Sequence, residues 1–292
     1  MEKQNRINWK RGLVITPDIL IASDNFHVSE KNLLASFLAS RLYGVLPENN
    51  FIMEKRIANN LLMIKIMECK TITKEGFIIN IEKEDHFQKE MPINDAPGNE
   101  CYVVLSLNQK NKTSEDEEEL YMLSDYCITL KNTSEPIKYG MPVLKIYKNN
   151  EDWEIDNHYI PPSIALNAVD SLRQKFIEIK NLIHKIIEKY PKNDPNFFQI
   201  SLLQLELNSF NSEKSPEEWI LLMKKMCWIC YIHLKNENKM EENYTLKSFL
   251  NEQFNPNEIE KMMRLGYDCF VDVDTIFDIK PVEVENIFEI KV

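Results

Sequence analysis

The stretch that decides the fold runs from Tyr159 to Tyr190, YIPPSIALNAVDSLRQKFIEIKNLIHKIIEKY. It opens with two consecutive prolines, Pro161 and Pro162. They lack a backbone N–H and push the residues before them into extended conformations. Beyond them Ala165, Val169, Leu172, Phe176, Ile179, Ile183, Ile186 and Tyr190 recur 4, 3, 4, 3, 4, 3 and 4 residues apart. A period of 3.5 residues predicts a long helix with a continuous apolar seam. Ile177, Leu182 and Ile187 widen the stripe, so more than one helix can lie against it. The seam can face sister copies of the chain or other helices of the same chain.

Further helices follow on the C-terminal side. YPKNDP stops the first, because proline cannot continue it. A second is expected over Phe197–Phe210. SPEEW marks a third, with Ser215 at the N-cap, Pro216 at the first helical position and Glu218 completing a capping box. NPNE marks a fourth in the same way, with Asn255 as cap, and Gly266 is placed to end it. The tail from Cys269 to Val292 alternates apolar and acidic residues. It can add strands to a sheet or lie along a neighbour.

On the N-terminal side the pattern is that of strands. FIIN (Phe77–Asn80), CYVVLSL (Cys101–Leu107), YCITL (Tyr126–Leu130) and MPVLKIYK (Met141–Lys148) are short and rich in β-branched and aromatic residues. TKEGF, NDAPGN, KNTSEP and KNNEDW separate them as turns. Such spacing predicts an antiparallel sandwich or barrel. One helix interrupts it in SEKNLLASFLASRLY, with Ser29 as its expected cap. Ahead of that helix, INWKRGLVITPDIL (Ile7–Leu20) has the character of a short strand and a turn.

Composition narrows the function. The 292 residues carry a net charge of -11, which disfavours a nucleic-acid or anionic-membrane binder. No apolar run is long enough to span a membrane and no signal-peptide core is present, so a cytoplasmic protein is expected. CWIC (Cys227–Cys230) is the only CxxC. It lies well inside a predicted helix rather than at an N-terminus that would activate a thiol. Core packing is the expectation, and a thiol-dependent enzyme using Cys227 and Cys230 is the alternative. The five histidines, His27, His86, His158, His184 and His233, form no ligand pair. His158 stands out only for its place beside YIPP. The acidic run Ser114–Glu119 fits a solvated loop. DCFVDVDTIFD lacks the glycine and final glutamate of a calcium loop. With six glycines and no phosphate-binding or nucleophile-elbow motif, no active site, metal site or cofactor is expected.

Three segments carry a resemblance when taken in order. The first is the opening hydrophobic–x–Trp–x–x–Gly–hydrophobic–x–x–x–Pro, formed by Ile7, Trp9, Gly12, Leu13 and Pro17. The second is a helix ending near Tyr43-Gly44. The third is YIPPSIAL entering a long helix. Over about residues 5 to 235 this order resembles the TssK family, the baseplate adaptors of bacterial type VI secretion systems.

The resemblance implies an α+β chain with an N-terminal β-sandwich like the shoulder of phage receptor-binding proteins (1–158). A helical stem or bundle (159–265) and a tail or reduced head (266–292) would follow. It implies a non-catalytic homotrimer without cofactors, cytoplasmic at the inner-membrane-associated baseplate. Such a trimer would link TssF/TssG wedge proteins to a membrane-side complex, the latter through the C-terminal region, with no membrane insertion of its own. Trp9, Gly12, Leu13 and Pro17 become wedge-interface candidates, with a core role equally open to Trp9. Tyr159, Ile160, Pro161 and Pro162 form the domain junction. Val169, Leu172, Phe176, Ile179, Ile183, Ile186 and Tyr190 form the seam. A phage-tail or other contractile-injection receptor-binding subunit is the alternative.

Overall fold

A computed structural model describes residues 7, 12–39, 42–48, 51–94, 96–107, 126–236 and 244–278. The chain is α+β and divides into two units. The first comprises Met1–Arg173 with Ser212–Pro216 and Asn255–Glu260. The second comprises Gln174–Asn211, Glu217–Phe254 and Lys261–Val292.

The first unit opens on helix α1 (Pro17–Ala39) and continues into two antiparallel sheets. The first sheet contains β1 (Gly44–Val45), β2 (Phe51–Ala58), β3 (Leu61–Ile72), β4 (Ile78–Ile81) and β5 (Phe87–Pro92). Strand β3 is its spine. It pairs with β2 and β1, and with β5 and β4. A two-residue turn at Asn59-Asn60 joins β2 to β3, with both asparagines at positive φ (52° and 59°). Asparagine tolerates that region, which suits the right-handed twist of a hairpin. Along β3 the buried face runs Leu62, Ile64, Ile66 and then Cys69, Thr71. The change of parity falls where Ile66 and Glu68 pair with the consecutive residues Met53 and Ile52, leaving Met67 as a bulge.

The second sheet has the order β7 (Tyr126–Asn132), β6 (Glu100–Leu107), β8 (Gly140–Asn149), β9 (Asp152–Ile155). Val103, Val104, Leu105, Val143, Leu144 and Ile146 are buried there. The buried Thr71 hydroxyl donates to Met141 Sδ across 2.8 Å, a contact between the two sheets. Tyr126 reaches the β4 edge, where its hydroxyl accepts from Asn80 N–H at 3.2 Å and donates to Asn80 C=O at 2.8 Å. This occupies backbone groups that an open strand edge would expose.

The helices are α2 (Asp170–Lys189), α3 (Phe197–Ser209), α4 (Pro216–Asn236), α5 (Tyr244–Asn251) and α6 (Ile259–Asp278). In the second unit Phe176, Phe210 and Trp219 form an aromatic cluster, with ring centroids 4.8 to 6.3 Å apart. Lys180 donates to Phe210 C=O at 2.7 Å and closes the C-terminal end of α3. Gly266 lies against Met223 and Phe249, where any side chain would collide.

Four local expectations change. Pro17 lies not in a strand-and-turn segment but is the first residue of α1. Its cap is Thr16, whose Oγ1 accepts from Ile19 N–H at 3.4 Å. Gly12 to Thr16 are consequently not strand, and Ser29 lies inside the helix rather than at its start. Helix α2 begins at Asp170, so Ala165 and Val169 are buried ahead of it instead of forming its first turns. Helix α6 runs through Gly266 to Asp278. The glycine there serves close packing, not termination.

Candidate interaction surfaces and the junction motif

Two of the quoted motifs, more than a hundred residues apart, meet in the first unit. Val45 N–H donates to Pro162 C=O at 2.8 Å, and Ile164 N–H donates to Val45 C=O at 3.0 Å. The result is a short parallel bridge between Val45 and Ser163. Gly44 makes the approach possible. It has φ +128°, and a Cβ there would lie 2.5 Å from Pro162 C and O and 2.6 Å from Ser163 N. Those obstacles are backbone and cannot rotate away. Pro161 and Pro162 hold the facing segment extended, and the Ser163 hydroxyl donates to Pro161 C=O at 2.9 Å.

Three tyrosines surround this clasp. Tyr43 is buried and donates to Asn257 Oδ1 at 3.0 Å. Tyr159 lies 5.7 Å from Tyr102, ring to ring, and donates to Pro142 C=O at 3.3 Å. Burial first, then Glu75 and Tyr102, pushes the Tyr43 phenol far above its usual range. Burial, then Tyr102, Tyr43 and Asp156, does the same to Tyr159. Phenols held neutral in this way are hydrogen-bonding struts, not acids or bases. The sequence signals Tyr43, Gly44 and Tyr159–Pro162 separately. It does not signal that Val45, Tyr102 and Asn257 complete the site.

The seam residues Val169, Leu172, Phe176, Ile179, Ile183, Ile186 and Tyr190 are all buried within the single chain. Tyr190 stacks at 4.9 Å from His233. The wedge candidates differ. Trp9 lies outside the described residues. Gly12 stands in a turn at φ +88°, and no described residue lies near its missing side chain. Leu13, Val14 and Ile15 are exposed, as are Leu20, Ile21, Val28, Leu33 and Leu34 along α1. Val14, Ile15, Leu20 and Ile21 belong to this surface although only Leu13 and the flanking Gly12 and Pro17 stand out in sequence.

The groups with chemical potential are structural. Cys227 and Cys230 are buried. Burial, with Cys269 beside it, pushes the Cys227 thiol well up, and burial pushes Cys230 up to about 12. A thiol so protonated is no nucleophile. His158 is exposed, and its N–H caps the Asp156 carboxylate in a turn at 3.0 Å. His233 is the buried histidine, with Nδ1 2.5 Å from Asp194 Oδ2. Burial alone would raise the Asp194 carboxyl. The Asn196 backbone N–H, His233 and Tyr190 hold it below its usual range. Among the described residues no group of three His, Cys, Asp or Glu side chains could hold a metal ion. None of the described helices is long and apolar enough to cross a membrane.

No protein-family profile and no curated protein matches this sequence. Solved structures do match. A chain of the type VI secretion TssK–TssF–TssG baseplate subcomplex, seen by cryo-electron microscopy, has a TM-score of 0.65 at 14% identity. It covers 94% of this chain and 99% of its own. A crystal structure of TssK has a TM-score of 0.60 at 11% identity, covering 94% and 68%. TssK from the EAEC type VI secretion system, bound to nanobody nb18, has 0.62 at 13%, covering 88% and 69%. The fold is therefore that of a secretion-system baseplate protein. In particular it is TssK-like, and the likeness takes in both units.

Proposed function

We propose that this chain is a structural, non-catalytic baseplate subunit of a type VI secretion system. It acts as a homotrimeric adaptor in the manner of TssK. The two sheets (1–158) form a shoulder-like sandwich that meets TssF/TssG-type wedge proteins. The helices from residue 159 onward form a bundled stem, and residues 266–292 contribute to contact with a membrane-side protein. The observation that carries this reading is the extent of the fold likeness. It spans 94% of the chain and 99% of a chain in a TssK–TssF–TssG subcomplex. Two features of this chain support it. The Tyr43 phenol and the Cys227 thiol, both pushed up chiefly by burial, are buried, as in a scaffold. Its apolar residues at Leu13–Ile15 and on α1 are exposed, as in a protein that works through surfaces.

The test is affinity capture of the tagged full chain from its own host under conditions that assemble the secretion system. TssF- and TssG-type proteins are expected with it in a salt-stable complex. A folded chain that captures neither, while the assembled baseplate lacks it, overturns the proposal.

A further inference from the structure

The hairpin of β8 and β9 has two unlike faces, because successive side chains alternate across a strand. On one face the polar groups satisfy one another. The Tyr147 hydroxyl donates to Glu154 Oε2 at 2.8 Å, and Asn149 Nδ2 donates to Glu154 Oε1 at 2.8 Å. On the other face Lys148 stands opposite Trp153. Trp153 is half-buried there, with part of its ring in contact with solvent.

This second face is one wall of a cleft of about 380 Å³ within the first unit. The β2–β3 turn brings Asn60 to it. The connection between β5 and β6 brings Asn94 and Asn99, and the hairpin brings Lys148, Glu151 and Trp153. Backbone bonds hold the three segments together. Ile93 N–H donates to Asn60 C=O at 3.0 Å, and Lys148 N–H donates to Asn99 C=O at 2.8 Å. Asn132 Nδ2 donates to Pro97 C=O, between Asn94 and Asn99, at 2.7 Å. The cleft is therefore preformed, and its volume is that of a small-molecule site. Among the described residues no hydrogen bond or ion pair occupies the side chains of these six residues. Three carboxamides, an ammonium, a carboxylate and an indole N–H thus converge on one concave space and are not used up by the fold.

We propose that this cleft binds a neutral saccharide, with Trp153 as the stacking platform and the three asparagines as partners of its hydroxyls. The lining selects that chemistry. A carboxamide both donates and accepts, as a sugar hydroxyl does. An indole offers an apolar face for the C–H side of a pyranose ring and an N–H for its oxygens. Lys148 is the one cation among the described lining residues and Glu151 offsets it, so a phosphate or sulfate group finds no cluster of charged donors. Trp153 is the one large apolar side chain there, too little for a lipid tail. The proposal goes beyond the baseplate reading and shares no residue with its wedge-contact candidates, so either can fail alone.

The experiment is a titration of the full chain with three neutral disaccharides, cellobiose, maltose and N,N′-diacetylchitobiose, read by saturation-transfer NMR and tryptophan fluorescence. A sulfated heparin disaccharide is the charged control. At least one neutral disaccharide is expected to bind with a dissociation constant of about 1 mM, and the control more weakly. Trp153→Ala is expected to weaken that binding roughly tenfold or more, and Trp153→Phe, which keeps a ring, by less. Trp153→Ala should still capture TssF/TssG-type proteins as the wild type does. Should it not fold, Asn94→Ala/Asn99→Ala decides, with the same roughly tenfold loss expected. The proposal is overturned if none of the three disaccharides binds below about 20 mM, if a folded variant binds as tightly as the wild type, or if the heparin disaccharide binds best. Loss of wedge-type capture by folded Trp153→Ala, with no disaccharide bound by the wild type, assigns the cleft to a protein contact and also overturns it.

Discussion

Gly44 shows how one residue joins two distant segments. Alanine there meets backbone atoms of Pro162 and Ser163 and must adopt φ near +128°. Gly44→Ala is expected to cost roughly 2–4 kcal/mol in urea unfolding, the sum of strain and a lost close approach. Gly12→Ala is the control. Its φ is +88° but no described residue lies within 4 Å of the added carbon. Only the backbone penalty of about 1 kcal/mol remains. Equal costs for the two would show that the Gly44–Pro162 clasp does not form. Trp219 gives a second residue-scale expectation. It is fully buried against Phe176 and Phe210, and its indole N–H has no hydrogen-bond partner among the described residues. Trp219→Ala should cost about 3–5 kcal/mol through cavity formation. Trp219→Phe should cost clearly less, because it also removes an unpaired buried donor. A Phe variant as unstable as the Ala variant would contradict that account.

At the scale of elements, α6 is tied to α2 by charge. Asp274 accepts from Lys185 at 2.6 Å and from Lys189 at 2.7 Å. Burial would raise the Asp274 carboxyl, but the two lysines hold it below the usual range. A depressed carboxyl contributes stability that is fully present above the unfolded pKa of about 3.9 and is lost as pH falls below it. Asp194, held low by Asn196, His233 and Tyr190, acts in the same direction. Denaturant unfolding from pH 6 down to pH 3 should therefore show a steeper loss for the wild type than for Asp274→Asn. Parallel curves would remove the ion triad from the account of acid lability.

The same elements show what the sequence could and could not disclose. The caps at Pro216 and Asn255 are local, so they are legible, and both helical starts stand where their prolines put them. The first strands are not. Strand β3 changes its buried face at Met67, and a two-residue period broken in the middle looks like no period. The start of α1 at Thr16-Pro17 is hidden for the opposite reason. Its residues are apolar on several sides, so neither the 3.6 nor the 2.0 period dominates. The clasp at Gly44 depends on a contact across the fold, and no window of sequence contains both halves.

At the scale of the whole molecule, the distribution of apolar surface separates two kinds of contact. The α2 seam, the most regular apolar pattern in the sequence, is spent inside the chain. Among the described residues the exposed large apolar side chains group in Leu13–Ile15, on α1, and on α3 and α4, with single ones at Ile52, Ile78, Tyr139, Ile177 and Val271. In the proposed reading the N-terminal set is the surface that meets the wedge proteins. Val14 and Ile15 precede the helix cap at Thr16 and are exposed, so charge there leaves the cap in place. Val14→Asp/Ile15→Asp is expected to leave thermal stability and oligomeric mass unchanged while lowering capture of TssF/TssG-type proteins at least roughly tenfold, as loss of central apolar contacts does at interfaces. Quantitative capture beside sedimentation reads both properties of the variant. A folded variant that captures wedge-type proteins as well as the wild type removes Val14 and Ile15 from that surface.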